Sequence, residues 1–101
     1  MKLQVQSIHF DADAKLLAYI QEKIDKLDTF FDRIIDGQVY LKVERDGKPN
    51  NKTVDVKINV PGEILMASEQ GVSTFEEGVD LCSDNLKRQV KRYKEKMRAH
   101  Q

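Results

Sequence analysis

The sequence predicts an α+β fold with the element order β-α-β-β-β-α, in which a four-stranded mixed sheet carries two parallel helices on one face. Three observations predict it: four segments alternate apolar and polar residues, two longer segments repeat apolar residues at helical spacing, and turn-forming residues separate the segments. The 101 residues are enough for one hydrophobic core, so we expect a single domain over residues 1–101. A composition of 40% apolar and 34% charged residues is typical of a folded, soluble chain.

A change of period separates the first strand from the first helix. Leu3 and Val5 alternate with polar neighbours, which is typical of a strand with one wet face. Apolar residues then recur three and four positions apart, and these are Leu16, Leu17, Ile20, Ile24, Leu27 and Phe31. Asp13 precedes them as the predicted N-cap, so the spacing predicts a helix from roughly residue 14 to 32.

Three more strands follow the first helix. Alternation recurs at Val39, Leu41 and Val43, and again at Val54, Val56, Ile58 and Val60. The segment "RDGKPNNK" between these two runs is rich in turn formers, which predicts a hairpin with a mobile tip. Pro61-Gly62 marks a tighter turn into a fourth strand around Glu63 to Glu69.

The second helix is announced by a capping box and extended by a long apolar seam. Ser73 and Glu76 have the spacing in which each side chain satisfies a backbone N–H beside the other. The seam predicts a helix to about residue 98 and consists of Phe75, Val79, Cys82, Leu86, Val90, Tyr93 and Met97. Gly78 lies inside this helix, where it indicates close packing against the sheet. Cys82 in the seam is predicted to be a reduced core thiol.

The topology follows from connection rules. A right-handed crossover makes the first two strands parallel and adjacent, and two turns add the other strands antiparallel. Counting directions along this path makes the two helices parallel to each other. Their apolar stripes therefore need the same face of the sheet.

The last eighteen residues carry most of the chain's positive charge. The whole chain is neutral, with 17 basic and 17 acidic residues, but residues 84–101 hold seven basic residues and two acidic ones. At about 100° per residue, Lys87, Lys91, Lys94 and Arg98 form one row, with Arg88 and Arg92 in a second, both away from the seam. Glu95 is the only acid after Asp84, so few intrahelical salt bridges explain these charges. The pattern indicates an anionic partner such as a nucleic-acid backbone.

The first helix adds a partial second patch. Lys15, Lys26 and Arg33 share one flank with Lys23 beside it, while the other flank carries Asp25, Asp28 and Asp32. The sequence leaves open which of these flanks turns toward the second helix.

Several classes of function lack their motifs. The chain has no glycine-rich phosphate loop and no nucleophile elbow, so we expect no enzymatic activity, cofactor or small-molecule substrate. His9 and His100 are far apart and not at ligand spacing with Cys or carboxylates, so we expect no metal site. The N-terminus is unlike a signal peptide and no apolar run could span a bilayer, so we expect a cytoplasmic protein. Lipid binding is disfavoured because the apolar seam of the second helix is expected to be buried against the sheet.

Three stretches together resemble the ribosome hibernation-promoting factors, also called ribosome-associated inhibitor or sigma-54 modulation proteins. They are "EKIDKLDTFFDRI" from Glu22 to Ile34, "VPGEIL" from Val60 to Leu65, and "STFEEGVDLCSDNLKRQVKRYKEK" from Ser73 to Lys96. The first is similar to the family pattern "EKLxKLxxFFDxI". Asp25 and Thr29 stand where many relatives have basic character.

The resemblance implies a fold related to double-stranded RNA-binding domains and a protein bound to the small (30S) ribosomal subunit at the decoding region. There it would block the mRNA and tRNA sites and inhibit translation in resting cells. The implied rRNA-binding residues, with Arg98 added from the outward row, are Lys23, Lys26, Lys87, Arg88, Lys91, Arg92, Lys94, Lys96 and Arg98. The chain stops at residue 101, so the resemblance implies a short type without a dimerisation domain, monomeric off the ribosome.

Two alternatives remain open at this level. A free-standing double-stranded RNA-binding module would bind RNA duplexes as tightly as ribosomes. A protein-interaction module would use the long C-terminal helix to self-associate or to bind an acidic partner, with little dependence on salt.

Overall fold

The computed structural model describes residues 1–44, 47 and 49–99, and its element order confirms the predicted β-α-β-β-β-α fold. The strands are β1 (Leu3–Ile8), β2 (Asp36–Val43), β3 (Lys52–Val60) and β4 (Glu63–Val72). The helices are α1 (Ala14–Asp25), which continues as a short 3-10 helix (Lys26–Thr29), and α2 (Phe75–Arg98).

The four strands form one mixed sheet in the order β1-β2-β3-β4. β1 and β2 are parallel, whereas β2–β3 and β3–β4 are antiparallel, as the connections predict. The register aligns Val39 of β2 with Val5 on one side and Val56 on the other. Residues of one parity therefore form a continuous apolar face across the sheet.

The core lies between this apolar face and both helices. Ile20 and Ile24 of α1 and Val79, Leu86 and Val90 of α2 are completely buried in it. The opposite face of the sheet is open, and Ile64 and Met66 of β4 are exposed there.

The contacts between the helices show that they run in the same direction. Tyr19 and Lys23 in α1 contact Asp80 in the first half of α2. Phe30, further along the chain, contacts Lys87 and Lys91 in the second half of α2. Progress along α1 thus matches progress along α2, and the predicted parallel pair is confirmed.

The first helix begins as predicted but ends earlier. The Leu16 N–H donates to the Asp13 carboxylate at 2.8 Å, which confirms the N-cap. The α-helix stops at Asp25 rather than near residue 32, and the chain tightens into the 3-10 turn. There the N–H groups of Phe30 and Phe31 both donate to the Leu27 carbonyl, which closes the turn and satisfies both donors.

The second helix starts one residue later than the predicted capping box. Thr74 is the N-cap, since its hydroxyl accepts the Glu77 N–H at 3.0 Å. Ser73 instead donates its hydroxyl to the Glu77 carboxylate at 2.9 Å. The shift makes Phe75 the first helical residue and buries its ring against the core, stacked on Phe10.

The remaining predictions on the strands fare differently. β4 extends to Val72, beyond the predicted end at Glu69, with a register shift against β3 at Lys52/Thr53. Gly62 adopts a φ of 78° in the predicted turn after Pro61. The predicted mobile tip includes Arg45, Asp46 and Lys48, which lie outside the described residues.

Gly78 and Cys82 fix how closely α2 approaches the sheet. A Cβ on Gly78 would come within 2.6 Å of the Val54 Cγ2 atom, so the predicted close packing is confirmed. Cys82 is fully buried, and this burial raises the pKa of its thiol to about 12. The cysteine is thus a protonated core residue, as predicted.

Candidate nucleic-acid interface

The basic residues of α2 project away from its buried seam. Leu86, Val90 and Tyr93 are buried against the sheet, because apolar residues at three- and four-residue spacing share one side of a helix. The intervening basic residues lie outside: Lys94 is half-buried, and the exposed ones are Lys87, Arg88, Lys91, Arg92, Lys96 and Arg98. The predicted solvent face is therefore confirmed, although its role as a binding site remains a prediction.

The flank of α2 that faces α1 gathers three lysines around one residue, Phe30. The ammonium groups of Lys87 and Lys91 lie 4.9 and 5.4 Å from the centroid of the Phe30 ring. The Lys94 ammonium donates to the Phe30 carbonyl oxygen at 3.1 Å. We call Lys87, Lys91 and Lys94 the lysine cluster. Within residues 1–44, 47 and 49–99, each of its members is held by an aromatic ring or a carbonyl and not by a carboxylate.

The 3-10 turn after α1 places Phe30 at this position. Because the turn is tight, the side chains of the adjacent Phe30 and Phe31 diverge. Phe31 is buried and meets Tyr93 edge-on, with ring centroids 5.3 Å apart. Phe30 is only half-buried and covers the flank of α2 beside the lysines.

An open cleft of about 230 Å³ lies between the 3-10 turn and the end of α2. Lys91, Lys94 and Arg98 line it together with Phe30, and Glu95 is the carboxylate among its lining residues. Arg33 approaches the same end of α2, since its guanidinium stacks on Phe31 and donates to the Met97 sulfur at 3.7 Å. Positive charge therefore concentrates where the two helices end.

The flank of α2 that faces β4 is tied more closely to the fold. Lys96 lies 3.7 Å from the Glu63 carboxylate, which partly neutralises it. Gln89 donates to the Met66 carbonyl at 2.7 Å, and the Tyr93 hydroxyl donates to the Pro61 carbonyl at 2.5 Å. Arg92 lines a groove together with Glu63, Gln89, Tyr93 and Lys96. This flank offers less free positive charge than the lysine cluster.

The two predicted site residues of α1 have different surroundings. Lys26 is exposed, but the Lys23 ammonium lies 3.3 Å from the Asp80 carboxylate. The same Asp80 oxygen accepts the Tyr19 hydroxyl at 2.6 Å, and this hydrogen bond raises the pKa of Tyr19 to about 12. Lys23 thus belongs to an internal ion pair, and it is the flank of Tyr19 and Lys23 that turns toward α2.

The acidic flank of α1 faces the first residue of the chain instead. The α-amino group of Met1 donates to the carboxylates of Asp25 and Asp28. Partial burial raises the pKa of Asp25, but the hydrogen bonds from this amino group and from Gln21 outweigh it, so the net pKa is lowered. The Met1 amino group therefore partly neutralises these two carboxylates, although Asp28 still lines a cleft together with Lys94.

Ion pairing separates the nine predicted residues into two groups. Over residues 1–44, 47 and 49–99, only Lys23 and Lys96 of the predicted set lie within 4 Å of a carboxylate. The seven others are Lys26, Lys87, Arg88, Lys91, Arg92, Lys94 and Arg98. Sequence reasoning missed Phe30, and it placed Arg33 on the flank of the first helix but outside the site. The only sequence signal for the contact between Phe30 and the lysine cluster is the pair of adjacent phenylalanines after α1.

The β-α-β-β-β-α domain presents an outward basic helix, and most lysines and arginines of this helix have no carboxylate within 4 Å among the described residues. Surfaces of this kind are typical of domains that bind a polyanionic backbone. Comparison with known proteins gives the family. Residues 3–98 match the family model described as "Sigma 54 modulation protein / S30EA ribosomal protein", so the chain belongs to this family, as the resemblance predicted.

Curated relatives cover nearly the whole chain. The ribosome hibernation promoting factor of Escherichia coli strain K12 is 30% identical over 100 residues, which are 99% of this chain and 100% of that protein. The ribosome hibernation promotion factor of Deinococcus radiodurans is 33% identical over 93 residues, or 90% of this chain. The chain spans only 48% of the length of this second relative.

Two solved structures share the fold. The N-terminal domain of Thermus thermophilus Protein Y superimposes with a TM-score of 0.77 over 91% of this chain and 94% of that one. A ribosomal subunit interface protein from Coxiella burnetii gives a TM-score of 0.81 over 93% of this chain and 98% of that one. Both are 21% identical to this chain, so they support the fold alone.

Two expectations about function class can be compared with these findings. The family consists of non-enzymatic hibernation factors, in agreement with the prediction that the chain is not an enzyme. In the described part of the chain, neither helix combines the length and apolarity that crossing a membrane would require.

Proposed function

We propose that this chain is a ribosome hibernation factor of the cytoplasm that binds the small (30S) ribosomal subunit at its decoding region. There it occupies the mRNA and tRNA sites and inhibits translation in resting cells. The lysine cluster, with Arg88, Arg92 and Arg98 around it, provides the surface that meets rRNA phosphates. The relatives named as hibernation promoting factors support the class of activity.

One observation carries the proposal: Lys87, Lys91 and Lys94 are gathered on one flank, and among the described residues no carboxylate lies within 4 Å of their ammonium groups. Cations without internal counterions attract dissolved anions and exchange them for phosphates when RNA binds. Counterion release then drives binding, so affinity falls steeply as salt rises. The remainder of the domain excludes competing ligands by its bulk.

The test is co-sedimentation of purified protein with isolated small subunits at several salt concentrations. In a variant with Lys87→Glu, Lys91→Glu and Lys94→Glu, three attractive contacts become repulsive. We expect its affinity to fall at least about a hundredfold, with folding preserved because these side chains lie outside the core.

A matched control changes the same number of charges on the open face of the sheet. The substitutions Lys2→Glu, Lys42→Glu and Lys57→Glu alter the net charge identically: Lys42 and Lys57 lie in strands on the face opposite the helices, and Lys2 directly precedes β1. This control should still co-sediment. If the cluster variant binds like the wild type at moderate salt, or both variants lose binding equally, the proposed surface is wrong.

A further inference from the structure

Phe30 is the common neighbour of the lysine cluster. Its ring lies under the ammonium groups of Lys87 and Lys91, and its carbonyl oxygen accepts a hydrogen bond from the Lys94 ammonium group. These three residues come from two successive turns of α2, whereas Phe30 comes from the end of the 3-10 turn after α1. The contact is therefore a tertiary feature and not a local property of the basic helix.

Bringing three ammonium groups together has two costs in the unbound protein. Like charges three and four residues apart on a helix repel each other. A long lysine side chain also loses rotamer freedom when it is held in one geometry. Both costs arise before any ligand is present, so something in the fold must offset them.

Phe30 offsets both costs without neutralising the charge. The face of an aromatic ring attracts a cation through its quadrupole, and the carbonyl oxygen is a hydrogen-bond acceptor with no net charge. A carboxylate in the same place would form an ion pair that phosphate would have to break. Lys96 beside Glu63 is in that situation.

We propose that Phe30 is a positioning residue that holds Lys87, Lys91 and Lys94 as a preformed site for phosphate groups of an RNA backbone. The inference rests on the proposed function, because it states how the same surface is prepared for rRNA. The ring and the carbonyl orient the three lysines before binding, so less side-chain entropy is lost when the phosphate arrives. Each ammonium retains donors for phosphate oxygens, since it has three.

The proposal is tested first without a ribosome, by NMR of the lysine ε-CH₂ groups. In the wild type, ring currents should shift the ε-protons of Lys87 and Lys91 upfield. Titration with inorganic phosphate should move the signals of all three lysines together. In Phe30→Leu the upfield shifts should disappear, and the same change should need several-fold more phosphate.

The second readout is binding to isolated small subunits as a function of salt. We expect Phe30→Leu to lower the affinity about five- to tenfold, because it removes two cation–π contacts. The slope of log affinity against log salt should stay the same, since the same lysines still meet phosphates. Removing a lysine, in contrast, lowers that slope by about one.

Tyr40 provides a matched control on the open face of the sheet. Its ring lies 5.8 Å from the Lys57 ammonium, so Tyr40→Leu also removes a half-buried ring with a cation above it. This variant should bind small subunits and phosphate as the wild type does. Phe30→Tyr keeps the aromatic ring and should restore the binding that Phe30→Leu loses.

An isosteric ring covers the case in which Phe30→Leu does not fold. Trifluorophenylalanine at position 30 keeps nearly the shape of phenylalanine but weakens the quadrupole, so affinity should fall while the circular-dichroism spectrum remains that of the folded wild type. The inference is overturned if this protein, or a folded Phe30→Leu variant, binds phosphate and subunits within twofold of the wild type. If the wild type binds no subunits, the proposed function fails, whereas the lysine signals and the phosphate titration still decide whether Phe30 positions the cluster.

Discussion

The two halves of α2 share one buried seam but use their charged residues in opposite ways. In the first half, residues 75–86, Asp80 binds Tyr19 and Lys23, and Glu77 binds Ser73. In the second half, residues 87–98, the part of the chain that the structure describes offers the lysine cluster no carboxylate partner and pairs only Lys96 with one. Asp80 and Glu77 in the first half therefore form contacts within the fold, while most basic residues of the second half remain available to bind another molecule.

This difference separates stability from binding along a single helix. Acidic residues near a helix N-terminus and basic residues near its C-terminus both interact favourably with the helix dipole. Dipole stabilisation alone would therefore predict the same pattern of charge. The contacts with other elements distinguish dipole stabilisation from a division between stability and binding, because the dipole does not require them. We therefore expect substitutions of first-half residues that contact other elements to change the free energy of unfolding, and substitutions in the lysine cluster of the second half to change affinity for RNA.

The largest effect should come from Gly78 in the first half. In Gly78→Ala, the new methyl group would collide with Val54 and Val72 beneath the helix. Overpacking a β-branched core costs more than alanine gains in helix propensity, so the free energy of unfolding should fall by about 2 kcal/mol. Urea denaturation measures it.

Asp84→Ala, at an exposed position later in α2, is the control for helix propensity. It introduces the same residue without a neighbour to strike, so it should leave stability unchanged or raise it slightly. A Gly78→Ala variant as stable as this control would show that the first half of α2 is not tightly anchored.

A second prediction compares two lysines of the second half. Lys91 faces the Phe30 ring, whereas Lys96 lies beside Glu63. We expect Lys91→Ala to weaken small-subunit binding about tenfold and to lower the salt slope by about one, because one phosphate contact is lost. Lys96→Ala should weaken binding less than about threefold, since removing it also frees Glu63 to face solvent.

Both variants should unfold like the wild type, within about 0.5 kcal/mol, because neither side chain packs in the core. Equal losses of affinity at the two positions would mean that a nearby carboxylate does not decide which cations bind. The contrast within the second half would then fail, although the contrast between the halves could survive.

The pattern of apolar residues was sufficient to predict most of the fold. The seam from Phe75 to Met97 fixes which side of α2 is buried, and alternation fixes the inner face of each strand. These features depend on periodicity, which a sequence shows directly. The exposure of the basic residues on α2 followed for the same reason.

The ends of the helices and the contact partners of the site residues could not be predicted in this way. Phe30 and Phe31 are adjacent residues of the same type, and the 3-10 turn determines which ring enters the core and which contacts the lysines. Lys23 fits the basic pattern, but its pairing with Asp80 depends on the separation of two helices. Both contacts arise from tertiary packing, to which periodicity is insensitive.

Asp80 gives the smallest of the expected effects and tests the contrast from the other side. Asp80→Ala removes the acceptor for Tyr19, so the pKa of Tyr19 should fall from about 12 toward its ordinary value of 10.0. Because the pKa is raised in the folded protein, this hydrogen bond stabilises the fold below pH 10 and is lost as the pH rises toward 12. Absorbance of the ionised tyrosine measures the change, and the wild type should lose more stability than the variant over this range.

The same substitution releases Lys23, which lies 3.3 Å from Asp80 in the folded protein. Its freed charge should raise affinity for small subunits about threefold and steepen the salt dependence, since one more cation can meet phosphate. Asp84→Ala removes the same charge without freeing a lysine, so any gain that both variants share is a general effect of net charge. If Asp80→Ala gains no more than Asp84→Ala, Lys23 takes no part in binding, and the contribution of α1 to the interface reduces to Lys26.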